Sequence, residues 1–167
     1  TLCISVGPNA EEISLAASAL GSVKGGRIAV CVPVSTVGME YTCHKKAPKM
    51  LEHIKEAVSL ACQKVGDVEF CALDATRCEK EFLKSAIKTA VESGAKTVSI
   101  CDNAAEMLPD AFAEFVAEIK AETDAEICVS CDNKNGFALA AATLSLKNGA
   151  DAVKTAISGN IVPLDVF

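Results

Sequence analysis

VEFCALDATRCEKEFL, residues 68–83, holds a whole strand-to-helix unit in one short stretch. Val68, Phe70, Cys71, Ala72 and Leu73 make a near-continuous apolar run, the composition of a parallel strand buried on both faces. Thr76, followed three residues later by Glu79, reads as a capping box at a helix start. Phe82, Leu83, Ala86, Ile87, Ala90 and Val91 then fall on one helical stripe, and Gly94 stands where that helix should stop.

The same unit recurs on both sides. Strands are expected at residues 2–6, 27–34, 68–74, 97–102, 126–132 and 152–158, and helices at 11–23, 48–65, 78–93, 109–123 and 136–147. SGAKTVSICD at 93–102 and NGADAVKTAIS at 148–158 repeat one design: a helix end, a Gly-Ala turn, a strand. A βα unit repeating every ~30–40 residues points to a βα barrel rather than a doubly wound sheet. Right-handed crossovers then require all six strands to be parallel. A full eightfold barrel usually takes ~250 residues, so the 167 residues here give an α/β fold of the partial TIM-type barrel kind. Residues 1–159 are expected to form that barrel. The tail NIVPLDVF, residues 160–167, is apolar and β-prone, with Pro163 suited to an edge, and is expected to cover one opening.

Composition narrows the function. The formal charge of -6 offers no basic patch for phosphates, so a nucleic-acid partner is not expected. No stretch approaches the ~20 apolar residues of a membrane span, and no signal peptide is read, so a cytoplasmic protein without a membrane partner is expected. Nine cysteines cannot all pair, and in an α/β chain they read as reduced, small apolar side chains. Cys128 and Cys131 make a CxxC, but along a strand residues three apart face opposite sides, so the spacing loses its metal meaning. Cys43 beside His44, and Cys62 near His53, have no second ligand pair in sequence.

VEFCALDATRCEKEFL also resembles the isopropylmalate synthase, homocitrate synthase and HMG-CoA lyase family of metal-dependent barrels, the pyruvate carboxyltransferase domain. GMEY at 38–41 looks like that family's third-strand segment, SICDN at 99–103 stands where a strand ending in Pro-Asp-Thr is expected, and VSCDNKNGFALAAATLSLKNGADAV resembles its sixth strand and helix. The resemblance runs in order from about Arg27 to Gly159 and implies a truncated member spanning the family's strands 2 to 7. It implies carbon–carbon bond formation or cleavage, the synthases condensing an acyl-CoA with a 2-oxo acid held by a divalent metal acting as Lewis acid. The family's metal ligands are an Asp on its first strand and a His-x-His pair on its sixth, with an Arg steadying the enolate.

The departures are concentrated at those positions. Where the His-x-His pair is expected, the chain has Ser130 and Asp132, which keep the inward geometry but not the chemistry. The acidic residue expected next is Lys134, the His ahead of Met-Glu-Tyr is Gly38, and the family's Thr and Asn on the seventh strand are Ala156 and Ser158. The first strand with its Arg and Asp has no counterpart. Asp74, Arg77 and Asp102 are the candidate catalytic survivors, and Ser35, Asn133 and Ser158 the candidate substrate-binding residues. The structural alternative has Thr76 capping a helix and Asp74 pairing with Arg77. No cofactor is expected; a divalent metal at Ser130 and Asp132, or between Asp102 and Asp132, is the alternative. Lys154, in GADAVKTAISG, looks like the Schiff-base lysine strand of deoxyribose-phosphate aldolases, or else pairs with a carboxylate such as Glu69 or Glu126.

The sequence is therefore read as a catalytically degenerate isopropylmalate synthase-like barrel acting in binding or assembly. The alternative is an acyltransferase or lyase completed by another chain and using altered ligands. Two raw sheet edges make a homodimer, or a partner chain supplying the missing strands, the expected state.

Overall fold

The computed structural model describes residues 1–21 and 23–167. Six strands form one sheet in chain order: β1 (Cys3–Val6), β2 (Arg27–Pro33), β3 (Asp67–Leu73), β4 (Thr97–Asp102), β5 (Glu126–Cys131) and β6 (Ala152–Val153). Every neighbouring pair is parallel, with β2 and β3 in register from Arg27↔Asp67 to Pro33↔Leu73. Helices α1 (Ala10–Leu20), α2 (Thr36–Tyr41), α3 (Ala47–Lys64), α4 (Lys80–Glu92), α5 (Pro109–Lys120) and α6 (Ala138–Lys147) fill the crossovers. The βα repetition read from 68–83 is thus the architecture of the chain.

Local chemistry sets the helix starts. Asn9 Oδ1 accepts the Glu11 N–H at 2.8 Å at the head of α1, and Ser35 Oγ accepts the Gly38 N–H at 3.1 Å at the head of α2. Pro48 and Pro109 occupy the first turns of α3 and α5, where a missing N–H costs nothing. Gly94 and Gly149 take φ of 109° and 105° just past α4 and α6, the stop that was expected of them.

Three local expectations are corrected. The capping box at Thr76 and Glu79 does not form: Ala75–Arg77 is a single 3₁₀ turn, and α4 begins at Lys80 without a side-chain cap. Thr76 instead donates its hydroxyl to Asp102 across the sheet. GMEY is not strand but most of the short helix α2. The strand expected whole at 152–158 is divided, because Lys154 N donates to Val129 O of β5 and the chain then leaves β5. β7 (Thr155–Ala156) pairs with β8 (Val162–Pro163) in parallel. Ile161 forms an antiparallel bridge with Asp132, and Asn133 N donates to Asn160 O. Residues 160–163 thereby enter between the end of β5 and β7, with Val162 fully buried and Leu164, Val166 and Phe167 exposed.

The core lies on the outer face of the sheet. Ile28, Val30 and Val32 of β2, Val68 and Phe70 of β3, Val98 and Ile100 of β4, and Ile127 and Val129 of β5 are buried against the helices in one cluster. The inner face holds a much smaller apolar cluster of Ala29, Cys71 and Cys101, with Cys31 and Leu73 packed on it. That face is curved. Lys154, directly after β6, places Nζ 2.6 Å from Glu69 Oε1 on β3. Three strands apart is about 14 Å on a flat sheet, too far for two side chains standing off one face, so the contact requires a sheet curled as a partial barrel.

Candidate functional site at the barrel mouth

The carboxyl ends of β3, β4 and β5 bring three of the expected residues together. Asp74 follows β3 in a left-handed conformation, φ 59° and ψ 39°, which a short polar side chain tolerates best. Its N–H donates to Asn103 Oδ1 at 2.7 Å, and its carboxylate takes two bonds from Arg77, Nε and Nη2 each at 2.8 Å. Arg77 Nη1 also lies 3.9 Å from Glu106 Oε1. Asp102 closes β4 and is buried. Its Oδ1 accepts from Thr76 Oγ1 at 2.8 Å and from the Ala105 N–H at 3.1 Å. Burial pushes the Asp102 carboxyl above its ordinary value, the two hydrogen bonds oppose this, and the charge of Asp132 adds to it. Asp74, Arg77 and Asp102 thus form one connected group through Thr76 and Asn103.

Asp132 joins them from β5. Its N–H donates to Asp102 O at 3.1 Å, and its Oδ2 lies 3.1 Å from Lys134 Nζ. Lys134 Nζ also donates to Asn103 O at 2.5 Å, and Asn135 Nδ2 to Ala105 O at 2.6 Å. The loops after β4 and β5 are therefore tied together by the lysine that stands where an acidic residue was expected.

The candidate substrate-binding residues are not gathered there. Ser35 is buried and its hydroxyl serves the start of α2. Asn133 Oδ1 accepts the Ala138 N–H at 3.2 Å, at the start of α6. Ser158 is exposed between β7 and β8. Sequence reasoning did not single out Asn103 or Glu106 as members of the group. Asn103 carried a signal, since it directly follows a strand-end Asp in SICDN, but its role as acceptor for a backbone N–H from another loop has no signature in sequence.

A second polar group lies deeper on the inner face. Glu69 Oε1 accepts from Lys154, from Ser99 Oγ at 2.6 Å and from Cys71 Sγ at 3.1 Å, and Glu69 Oε2 is 3.6 Å from Arg27 Nη1. Burial alone would raise the Glu69 carboxyl, but the bonds from Lys154 and Ser99 hold it below its ordinary value. Lys154 is held above its own: burial opposes the ammonium, and the neighbouring Cys71 and Glu69 outweigh it. Lys154 is therefore an ion-paired cation, as in the pairing alternative, and not a neutral amine poised to form an imine.

Comparison with known proteins rests on the same span. The sequence matches the HMGL-like family over residues 1–160. The chain belongs to the HMGL-like family. It is 35% identical over 153 residues to a 2-isopropylmalate synthase of Aquifex aeolicus (strain VF5), covering 89% of this chain and 29% of that protein. It is 32% identical over 163 residues to a 2-isopropylmalate synthase of Caulobacter vibrioides (strain NA1000 / CB15N), covering 95% and 31%. The chain thus spans about a third of the length of these relatives. The fold matches hydroxymethylglutaryl-CoA lyase from Pseudomonas aeruginosa with a TM-score of 0.81 at 17% identity, over 98% of this chain and 60% of that one. It matches HMG-CoA lyase from Brucella melitensis with a TM-score of 0.78 at 18% identity, over 96% and 58%.

For an HMGL-like domain, the donor set at this mouth is a poor fit to a divalent cation. Among the described residues no group of three or more His, Cys, Asp or Glu side chains is arranged to hold a metal ion. Ser130 is half-buried on the inner face, in register with Cys101, and Asp132 is already engaged by Lys134. Gly38, where the resemblance places a His, has no room for a side chain. A Cβ there would stand 2.7 Å from Pro33 Cβ and 3.1 Å from Ser35 Oγ. The proline ring cannot swing aside as a flexible chain end would, so the local packing has closed over that position. No helix among the described residues is long and apolar enough to cross a membrane.

Proposed function

We propose that this HMGL-like domain works in binding or assembly, on a barrel scaffold whose metal-dependent chemistry has degenerated. One observation carries the reading: Asp74 and Asp132 at the mouth are each tied to a neighbouring cation. Asp74 is held by both nitrogens of the Arg77 fork, and Asp132 by Lys134. Carboxylates tied to their own cations are poor ligands for a divalent ion, which binds through several free oxygens. The test is a thiol-release assay with acetyl-CoA and a series of 2-oxo acids, with and without added magnesium or manganese. The expected result is no turnover above background.

A second reading is favoured by Asp102. A buried carboxyl held above its ordinary value, at the carboxyl ends of barrel strands, is the kind of group that serves acid–base chemistry. On that reading the domain is an acyltransferase or lyase completed by another chain and using altered ligands. A turnover rate that appears with a partner chain and is lost in Asp102→Asn would favour it over the first.

The expected partner is a second copy of the chain or a separate polypeptide supplying strands. What supports this is that β1 and β6 each pair with one neighbour only within the sheet, and unpaired edge groups are templates for another strand. Light scattering at micromolar concentration tests it, a dimer being the expected mass. The nine cysteines are all free, which fits a reducing compartment such as the cytoplasm.

A further inference from the structure

The inner face carries a chemistry that neither reading of the mouth uses. Cys31 of β2 and Cys71 of β3 are register partners on adjacent parallel strands, and both pack into the small inner cluster. Adjacent strands stand about 4.8 Å apart, inside the Cα separation of ~4.4–6.8 Å that a disulfide spans. The two thiols differ in surroundings. Cys71 is buried, with Lys154 Nζ 3.2 Å from its sulfur and Glu69 Oε1 3.1 Å away. Cys31 is half-buried and lines an open cavity of about 640 Å³, together with Glu12, Lys45, Cys43 and His53. Such a cavity is of ligand size, and its walls carry both signs of charge.

We propose that Cys31 and Cys71 form a dithiol site that exchanges with low-molecular-weight disulfides bearing amino and carboxylate groups, with Cys31 attacking and Cys71 resolving.

The geometry assigns the roles. The Cys71 S–H donates to Glu69 Oε1 at 3.1 Å, while its register partner Cys31 is the sulfur on the cavity wall. Cys31 is thus the sulfur a small disulfide can reach; Cys71 is buried beside it and is placed to resolve. The neighbouring Cys71 holds the Cys31 thiol below its ordinary value, with burial opposing and the Lys154 ammonium assisting. In the first step the Cys31 thiolate attacks one sulfur of the disulfide R–S–S–R. A Cys31–S–S–R bond forms, the original S–S bond breaks, and RS⁻ leaves and takes a proton from water. In the second, the Cys71 sulfur attacks that of Cys31 and its proton passes to the departing thiolate. The Cys31–Cys71 disulfide forms, the Cys31–S–R bond breaks, and the second RS⁻ leaves as RSH. Two protein thiols are oxidised, one small disulfide is reduced to two thiols, and reduction by excess RSH runs the steps backward. A bridge between strands whose spacing the sheet dictates has little freedom to relax, the situation in which disulfides are labile and reversible.

Cys31 is held below its ordinary value and Cys3 above it, so near neutral pH Cys31 carries the larger thiolate fraction and should react faster than Cys3.

The test treats the reduced chain with glutathione disulfide at pH 7 and maps the products by peptide mass spectrometry. The expected result is a Cys31–Cys71 cross-link in the native chain, and a glutathionyl group trapped on Cys31 in Cys71→Ser. Cys71 should stay reduced in Cys31→Ser. The pH midpoint of Cys31 alkylation should lie below that of Cys3 in the native chain and rise in Cys71→Ala. If Cys71→Ser fails to fold, the native cross-link and the Cys31→Ser control still decide the matter. Cys31 remaining reduced while Cys3 or Cys43 carries glutathione would overturn the proposal. So would a stable glutathionyl group on Cys31 of the native chain beside a reduced Cys71. Neither outcome depends on whether the mouth turns over acyl-CoA.

Discussion

The two faces of the sheet are built from the same strands and solve opposite problems. On the outer face, Val30, Phe70, Ile100 and Ile127 are wholly buried against the helices and form one cluster with them. On the inner face, alternate residues of the same strands, Cys31, Glu69, Ser99 and Cys128, build a polar and thiol-rich surface around the Lys154–Glu69 pair. The outer face is stabilised by area removed from water, which is non-directional and tolerant. The inner face is stabilised by a few directed contacts, each dependent on the curl of the sheet. The fold of an HMGL-like domain and its chemistry are thus separated by one residue of strand parity.

Truncations on the two faces should therefore differ most. Phe70→Ala on the outer face should cost about 3–5 kcal/mol, by lost burial and the cavity left behind. Cys101→Ala on the inner face should cost only about 1 kcal/mol, the scale of one small buried group. Urea unfolding of both variants measures this, and equal losses would break the contrast.

The ion pair comes next. Lys154→Met should destabilise by about 2–3 kcal/mol, because Glu69 is left buried with only partial compensation. The double variant Lys154→Met with Glu69→Gln should recover part of the loss. A purely additive pair would show that the two side chains act apart.

Strand parity was legible in the sequence; contacts across the curl were not. The strands at 27–34, 68–74 and 97–102 could be read because buried parallel strands have apolar runs that little else in a soluble chain imitates. Their parallel order followed from the handedness of the crossovers. Lys154 was expected to pair with a carboxylate such as Glu69 or Glu126, and the curl of the sheet brings it to Glu69. Thr76 was misread because Thr and Glu three residues apart satisfy a local pattern. The contact that won, with Asp102, lies on another strand. The helix α2 was missed because TVGMEY is too short for a helical period to declare itself, and its start depends on one serine. Ser35 and Asn133, expected as substrate-binding residues, are both engaged with nearby helix N–H groups, a use that their residue type permits as readily as ligand binding.

The pH response sharpens the contrast with the smallest effect. Glu69 is held below its ordinary value, so its contribution is present above the ordinary carboxylate range and is lost as pH falls through its lowered folded value. Asp102 is raised, so its penalty is absent in acid and appears as pH climbs from its ordinary value through its folded one. Glu69→Gln should flatten the acid limb of a stability–pH curve. Asp102→Asn should leave acid stability unchanged and raise stability slightly at neutral pH, while keeping an oxygen for Thr76 and Ala105. Urea midpoints between about pH 3 and 7 read both, and an acid-limb change in Asp102→Asn alone would reverse the assignment.

The proposed degeneration of the mouth can be tested at the metal itself. The direct measurement is a titration of the purified chain with manganese, followed by calorimetry and by elemental analysis after gel filtration. No saturable stoichiometric binding and no metal carried through the column are expected, because Asp132 is held by Lys134 and Ser130 is a poor ligand. One tightly held ion per chain, abolished by Asp132→Ala, would contradict it.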